Sequence, residues 1–259
     1  MAGPVVAALA DLVLPRTCAG CGLPAAALCR RCVTLLCRPR LATPRRFPEG
    51  FPPTVAAGAY AGPVRPALNA FKERGRAELA GPLGAALALA VAAVAAGVPG
   101  RRRPVVLVPV PSSPAALRIR GRDHVRELAG VAVAELHGAG VVATQARLLR
   151  RRGRVRDSAG LSAAQRRANL VGTFLAVPGG GWPAPGVLLV LVDDVVSSGA
   201  TLTEAAAVLI AAGRGGPPVL AAAVAATPRQ VDGRPSAGGL RGLPRRVEIV
   251  SPQLVDRLS

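Results

Sequence analysis

Aromatic side chains are almost missing from this 259-residue chain: Phe, Trp and Tyr make up 2% of it, with a single Trp and a single Tyr. Grooves for single-stranded nucleic acid combine positive charge with aromatic platforms on which bases stack, and no stretch here interleaves the two. Lysine is scarcer still. Lys72 is the only one, so arginine supplies nearly all of the 33 basic residues that outweigh 14 acids and give a formal charge of +19. Ala, Gly and Pro are abundant as well, the pattern that GC-rich coding imposes everywhere. The charge is therefore divided between coding bias and a surface that faces a polyanion. A targeting signal is also missing: the amino-terminal apolar run has no early positive charge and is broken by Asp11, which predicts a short amphipathic helix. The Ala-dominated run at 83–98, between Pro82 and Pro99, falls short of the roughly twenty residues that span a bilayer and predicts a buried helix. These absences predict a cytoplasmic protein without membrane insertion. The length accommodates one sizeable α/β core and a small appendage.

What the chain does have is concentrated in VLLVLVDDVVSSGATL, residues 187–202. Residues 187–192 are apolar on both alternations, which predicts a strand buried on both faces of a parallel sheet. Asp193 and Asp194 follow, at the carboxyl end, where open α/β sheets bind ligands. An acidic pair there accepts hydrogen bonds from sugar hydroxyls or holds a hydrated Mg²⁺. Val195, Val196, Ser197, Ser198, Gly199, Ala200 and Thr201 then form a small-residue turn whose amides and hydroxyls, with the start of an Ala-rich helix, make an anion cradle. Acids for a diol followed by a phosphate cradle describe a ribose 5-phosphate site. The order resembles the phosphoribosyl pyrophosphate (PRPP) signature of type I phosphoribosyltransferases; no Gly-Lys-Ser/Thr follows the glycine, so it is not a nucleotide P-loop.

Near the amino terminus, Cys18, Cys21, Cys29 and Cys32 form two Cys-x-x-Cys pairs separated by seven residues. Four thiolates complete a tetrahedral Zn²⁺ shell and leave no position for water, so the expected metal is structural; paired disulfides and unligated thiols are the alternatives. Cys37 lies outside the pattern as a partly buried free thiol. The expected division is a helix and knuckle over 1–38, a Pro- and Arg-rich linker over 39–53, an α/β domain over 54–226 and a tail over 227–259. Within the α/β domain, 54–60 and 105–110 predict strands, with a helix at 63–71 between them that ends near Lys72 and Arg74. The turn Val110, Pro111, Ser112, Ser113 offers small hydroxyls at a strand end, and Arg118, Arg120 and Arg122 follow as phosphate clamps or as an exposed basic loop. Asp123 caps the next helix. His124 and His137 have no partner acid at a recognisable spacing, which makes them surface histidines. Residues 150–161 are polar, arginine-rich and aperiodic, as in a lid.

Taken together, the paired Cys-x-x-Cys, FKERGR, VPVPSSPAALRIRGRDH, RDSAGLSAAQRRANLVGTF and LVDDVVSSGATL resemble the ComF family over about residues 12–209. That resemblance implies a zinc knuckle joined to a type I phosphoribosyltransferase fold, with a role in DNA uptake. It places Lys72 and Arg74 on the family's basic motif and Val110–Ser113 on its pyrophosphate loop. Arg118, Arg122, Arg156, Leu161, Arg166, Arg167 and Asn169 fall on its other characteristic positions. Serines 197 and 198 replace the commoner threonines, and Asp123 and His124 stand where many members have Asn and Gln. The expected activity is transfer of phosphoribose from Mg²⁺-bound PRPP to an unidentified nitrogen acceptor, with release of pyrophosphate. The alternative is a non-catalytic competence adaptor that binds single-stranded DNA and helicase or uptake proteins while retaining the pocket.

Overall fold

The computed structural model describes residues 17–24, 26–44, 49–99, 103–152, 172–179, 181–184, 186–213, 216 and 218–228. The expected amino-terminal helix, Arg156 and Leu161 of the expected lid, Arg166, Arg167 and Asn169, and the tail beyond 228 lie outside the described residues.

The chain is α/β, built on a six-stranded sheet in the order β1-β2-β8-β7-β3-β4. The strands are β1 (Arg40–Leu41), β2 (Thr54–Ala59), β3 (Val105–Pro109), β4 (Ala143–Gln145), β7 (Leu188–Val196) and β8 (Val219–Ala226). All neighbours are parallel except β1 and β2. A separate antiparallel pair is formed by β5 (Leu149–Arg151) and β6 (Phe174–Ala176). Five described α-helices longer than one turn complete the fold: α2 (Val64–Glu73), α3 (Ala80–Ala96), α4 (Pro114–Arg120), α5 (His124–Gly138) and α6 (Ala200–Ala212); α1 (Arg30–Val33) belongs to the cysteine region.

Both faces of the sheet are covered, as the apolar runs require. In β7, Val190 and Val192 join the core formed with α2, α3 and α5, whereas Leu189 and Leu191 join the core under α6. Every residue of β8 is buried although most are Ala, because a small-residue strand lets α3 approach closely. Gly84 does the same between helices: a Cβ there would meet Val131 of α5 at 2.5 Å.

The Ala-rich segment behaves differently from its sequence pattern at one end. A 3-10 turn over Ala77–Leu79 runs directly into α3, so Pro82 sits in the first helical turn, where its missing N–H costs nothing. The resulting stretch, Ala77–Ala96, is long and apolar enough to cross a membrane, with 67% of its most apolar window buried inside the fold. Its burial follows from packing against β8, β2 and α5. Shortness is not the reason.

Within the segment expected as a linker, Arg40 and Leu41 pair with Ala56 and Val55 as an antiparallel edge strand. The cysteine region is fused to the sheet by the same core: Cys18, Cys32, Val33 and Leu36 pack with Val55 and Phe71. Gly58 permits this, since a Cβ would lie 2.5 Å from the Leu35 carbonyl oxygen.

Candidate functional site

At the carboxyl ends of β2, β3 and β7 a cleft of about 590 Å³ gathers most of the polar groups that the sequence singled out. It is lined by Lys72 from α2, by Val110, Pro111, Ser112 and Ser113 after β3, and by Asp193, Asp194, Val195, Ser197 and Thr201 from β7 and the turn into α6. The acids stand inside β7 rather than beyond it, since pairing with β8 continues through Val195 and Val196. Val196 points into the core and Ala200 is buried, so neither lines the cleft. Gly199 has φ +77° and packs against Phe51, where a Cβ would lie 2.8 Å from the ring; only glycine suits both demands. Ser198 is exposed and accepts the Ala200 N–H at 3.4 Å.

The two acids are unequal. Asp194 is buried, and its Oδ2 receives Lys72 Nζ at 2.9 Å and His124 Nε2 at 3.1 Å, while Oδ1 accepts the Val195 N–H. Burial opposes its ionisation, but the His124 hydrogen bond and the Lys72 charge outweigh burial and hold the carboxyl below the usual carboxylate range. Asp193 has no such direct cation. Its Oδ1 accepts the Asp194 N–H at 2.8 Å, and burial together with the Asp194 charge pushes its carboxyl well above the usual range. Asp193 keeps its proton where Asp194 is ionised. Lys72 shifts upward in turn: desolvation acts against its charge, and Asp194 more than compensates.

His124 corrects the sequence reading. It is 3% exposed, bonded to Asp194, and edge-on to the Phe71 ring at 6.4 Å; its Nδ1 is buried without a hydrogen-bond partner. The first residue of α5 is thus turned inward, placed there by the Asp123 cap, whose side chain accepts the Arg126 N–H. His137 stays exposed, as expected.

The arginines sort differently from their spacing. Residues 114–120 form a helix capped by the Ser113 hydroxyl, which points Arg120 into the cleft and leaves Arg118 exposed outside it. Arg120 is held bidentately by Glu73, with its closer contact at 2.8 Å. Arg122 is held by Glu127 and lies over the Phe71 ring at 4.3 Å, so it supports α5 and does not line the cleft. Arg74 is likewise outside, exposed and donating to the Pro66 carbonyl. Sequence reasoning passed over Tyr60 and Asn69, which line the cleft, and put Arg151 in a lid, whereas it lies in β5 and lines the cleft as well. The two-strand unit of β5 and β6 delivers Arg151, and its Nε is buried without a partner.

At the amino terminus, the Sγ atoms of Cys18, Cys21, Cys29 and Cys32 all lie within 4.8 Å of one another, and those of Cys21 and Cys29 are 3.7 Å apart. Zn–S bonds of about 2.3 Å in a tetrahedron need sulfurs about 3.8 Å apart, so the cluster fits one metal such as zinc. Backbone N–H groups of Cys29, Cys21 and Gly20 overcome desolvation and bring the Cys18 thiol down to about 6, which favours the thiolate a metal needs. Cys37 stands apart, half-buried, with burial pushing its thiol up. Cys18→Ser is expected to reduce bound zinc from about one equivalent per chain to near zero and to lower the melting temperature. Elemental analysis showing full loading of the variant would contradict the site.

No protein-family model matches this chain, and no curated protein matches it.

At the opposite, amino ends of the strands, an apolar cavity of about 920 Å³ is lined by Phe51, Pro53, Trp182, Leu189, Leu209 and Val219. It contains no acid pair and no hydroxyl-bearing turn.

Proposed function

We propose that the cleft binds PRPP and that the protein is a phosphoribosyltransferase with the type I fold, of the ComF pattern. The observation that carries this reading is the meeting, in one cleft, of an acid pair on β7, the hydroxyl-bearing turn of Ser197 and Thr201, and the Val110–Ser113 turn of the neighbouring strand β3. The turn into α6 takes the 5-phosphate, with the positive end of a 13-residue helix behind it. Asp193 takes the ribose hydroxyls. Ser112, Ser113 and Arg120 face the pyrophosphate.

In the transfer, the bond between C1′ and the pyrophosphate oxygen breaks, and its electron pair leaves with pyrophosphate. The acceptor nitrogen forms the new bond to C1′, and its proton passes to water. Fixed donors on the β3 side act where negative charge develops, which is electrostatic stabilisation of the leaving group. Among the cleft acids only Asp193 lacks a cation pressed directly against it, because Glu73 and Asp194 are engaged. Mg²⁺ would arrive with PRPP, held mostly through the phosphates, and would supply charge neutralisation of the leaving group.

Calorimetric titration of PRPP with Mg²⁺, followed by pyrophosphate release against a panel of nucleobases, tests the reading. Saturable binding with base-dependent release is expected. Binding without release under any base would favour the competence-adaptor role, and no binding would overturn the site assignment.

A further inference from the structure

One end of the cleft is lined by an aromatic ring and an amide, Tyr60 and Asn69. Going outward from β7, strand β3 lies on one side and β8 then β2 on the other. The end of β2 lies two strands from β7, on the side away from the Val110–Ser113 turn, and beyond Ala56, the β2 residue level with Asp193. Tyr60 follows β2, its N–H donating to the Ala226 carbonyl at 2.8 Å, and Leu68 and Asn69 face it from α2. Lys72, Glu73, Arg120, His124, Arg151 and both acids account for the titratable lining apart from Tyr60 itself.

Displacement at an anomeric carbon brings the nucleophile in opposite the leaving group, in line with the breaking bond. Resting on the PRPP reading, pyrophosphate on the β3 side puts the acceptor on the β2 side. There the chain offers an aromatic ring, a leucine and an amide. Tyr60 Oη donates to Asn69 Oδ1 at 2.9 Å, and the Arg65 guanidinium lies over the ring, 5.9 Å from its centroid. The tyrosine is thereby fixed from two directions. Because Oδ1 is occupied, the amide is oriented, and Asn69 Nδ2 is left as a donor.

We infer that Tyr60 and Asn69 form the acceptor subsite, and that it takes a planar heterocycle presenting a carbonyl oxygen, in preference to the amino-substituted counterpart. A flat ring suits an aromatic lining. A fixed N–H donor accepts a carbonyl partner and leaves an opposing amino group unpaired, which discriminates strongly in a half-buried site.

The test uses product nucleotides on the full chain, with ribose 5-phosphate as the reference. Uridine and inosine 5′-monophosphates are expected to bind at least tenfold tighter than ribose 5-phosphate, and at least fivefold tighter than cytidine and adenosine 5′-monophosphates respectively. Asn69→Asp, which keeps the Tyr60 hydrogen bond and replaces the donor with an acceptor, is expected to reverse the preference within each pair. Equal affinities for the paired nucleotides, or an unchanged order in Asn69→Asp, would overturn the subsite while ribose 5-phosphate binding persisted. Failure of ribose 5-phosphate itself to bind would overturn the PRPP reading and the subsite with it.

Discussion

Asp193→Asn is expected to weaken PRPP binding by up to about tenfold, the worth of one neutral hydrogen bond of about 0.5–1.5 kcal/mol, while making the protein more stable at pH 7. Loss of function with gain of stability follows from the position of this side chain. Its carboxyl is raised by burial and by Asp194, so the folded state binds a proton there that the unfolded state releases. The stabilisation due to a raised acid is fully present below the ordinary Asp value near 4 and is lost as pH climbs through the raised value. An asparagine keeps the Oδ1 that accepts the Asp194 N–H and is neutral at every pH. The gain should appear at pH 7 as a higher melting temperature than the parent protein, and it should vanish near pH 3.5. Calorimetry with PRPP and melting curves at the two pH values check it. A variant that bound PRPP normally would remove Asp193 from the ribose site, and a variant destabilised at pH 7 would contradict its raised pKa.

Asp194→Asn should do the reverse to the fold. This carboxylate is 4% exposed and holds both Lys72 and His124, so neutralising it strands a half-buried ammonium. Breaking such a pair from one side costs about 3 kcal/mol or more, and melting should fall by roughly 6–12 °C. Adding Lys72→Met to Asp194→Asn should recover part of that loss, because the unpaired charge leaves with the lysine. If the double variant is no more stable than Asp194→Asn alone, the 2.9 Å contact is not an energetic coupling. The double asparagine variant of both acids therefore mixes a binding defect with a folding defect, and the single variants separate them.

What could be read from the sequence follows from how locally each feature is encoded. Strands β3 and β7 carry runs that are apolar on both alternations, so their burial was legible residue by residue. The cysteine cluster was legible because its four ligands lie within fifteen positions, Cys18 to Cys32. Strand β1 was not, since two residues amid Pro and Arg carry no period, and their pairing depends on β2. The start of α3 was hidden by taking Pro82 as a boundary when it occupies the first turn.

Within the site, the acids and the Val110–Ser113 turn were found from their place at strand ends. His124 was missed because its partner lies 70 residues away and no local spacing announces it. The arginines were misassigned for a similar reason. Spacing of two along a presumed loop became successive faces of a helix and a cap once Ser113 nucleated α4, which sent Arg120 inward and Arg118 outward. Tyr60 and Asn69 carry no motif at all, and only the sheet order brings them beside the acids.

The scarcity of aromatics gives the molecule two spectroscopic channels of its own. Its single Tyr stands at the cleft and its single Trp at the cavity on the far end of the sheet. One fluorotyrosine resonance would report arrivals among the acids, and indole emission would report arrivals at the opposite end. A titration that moved only the indole signal would mean that the compound had found the apolar cavity, whatever the heat of binding suggested.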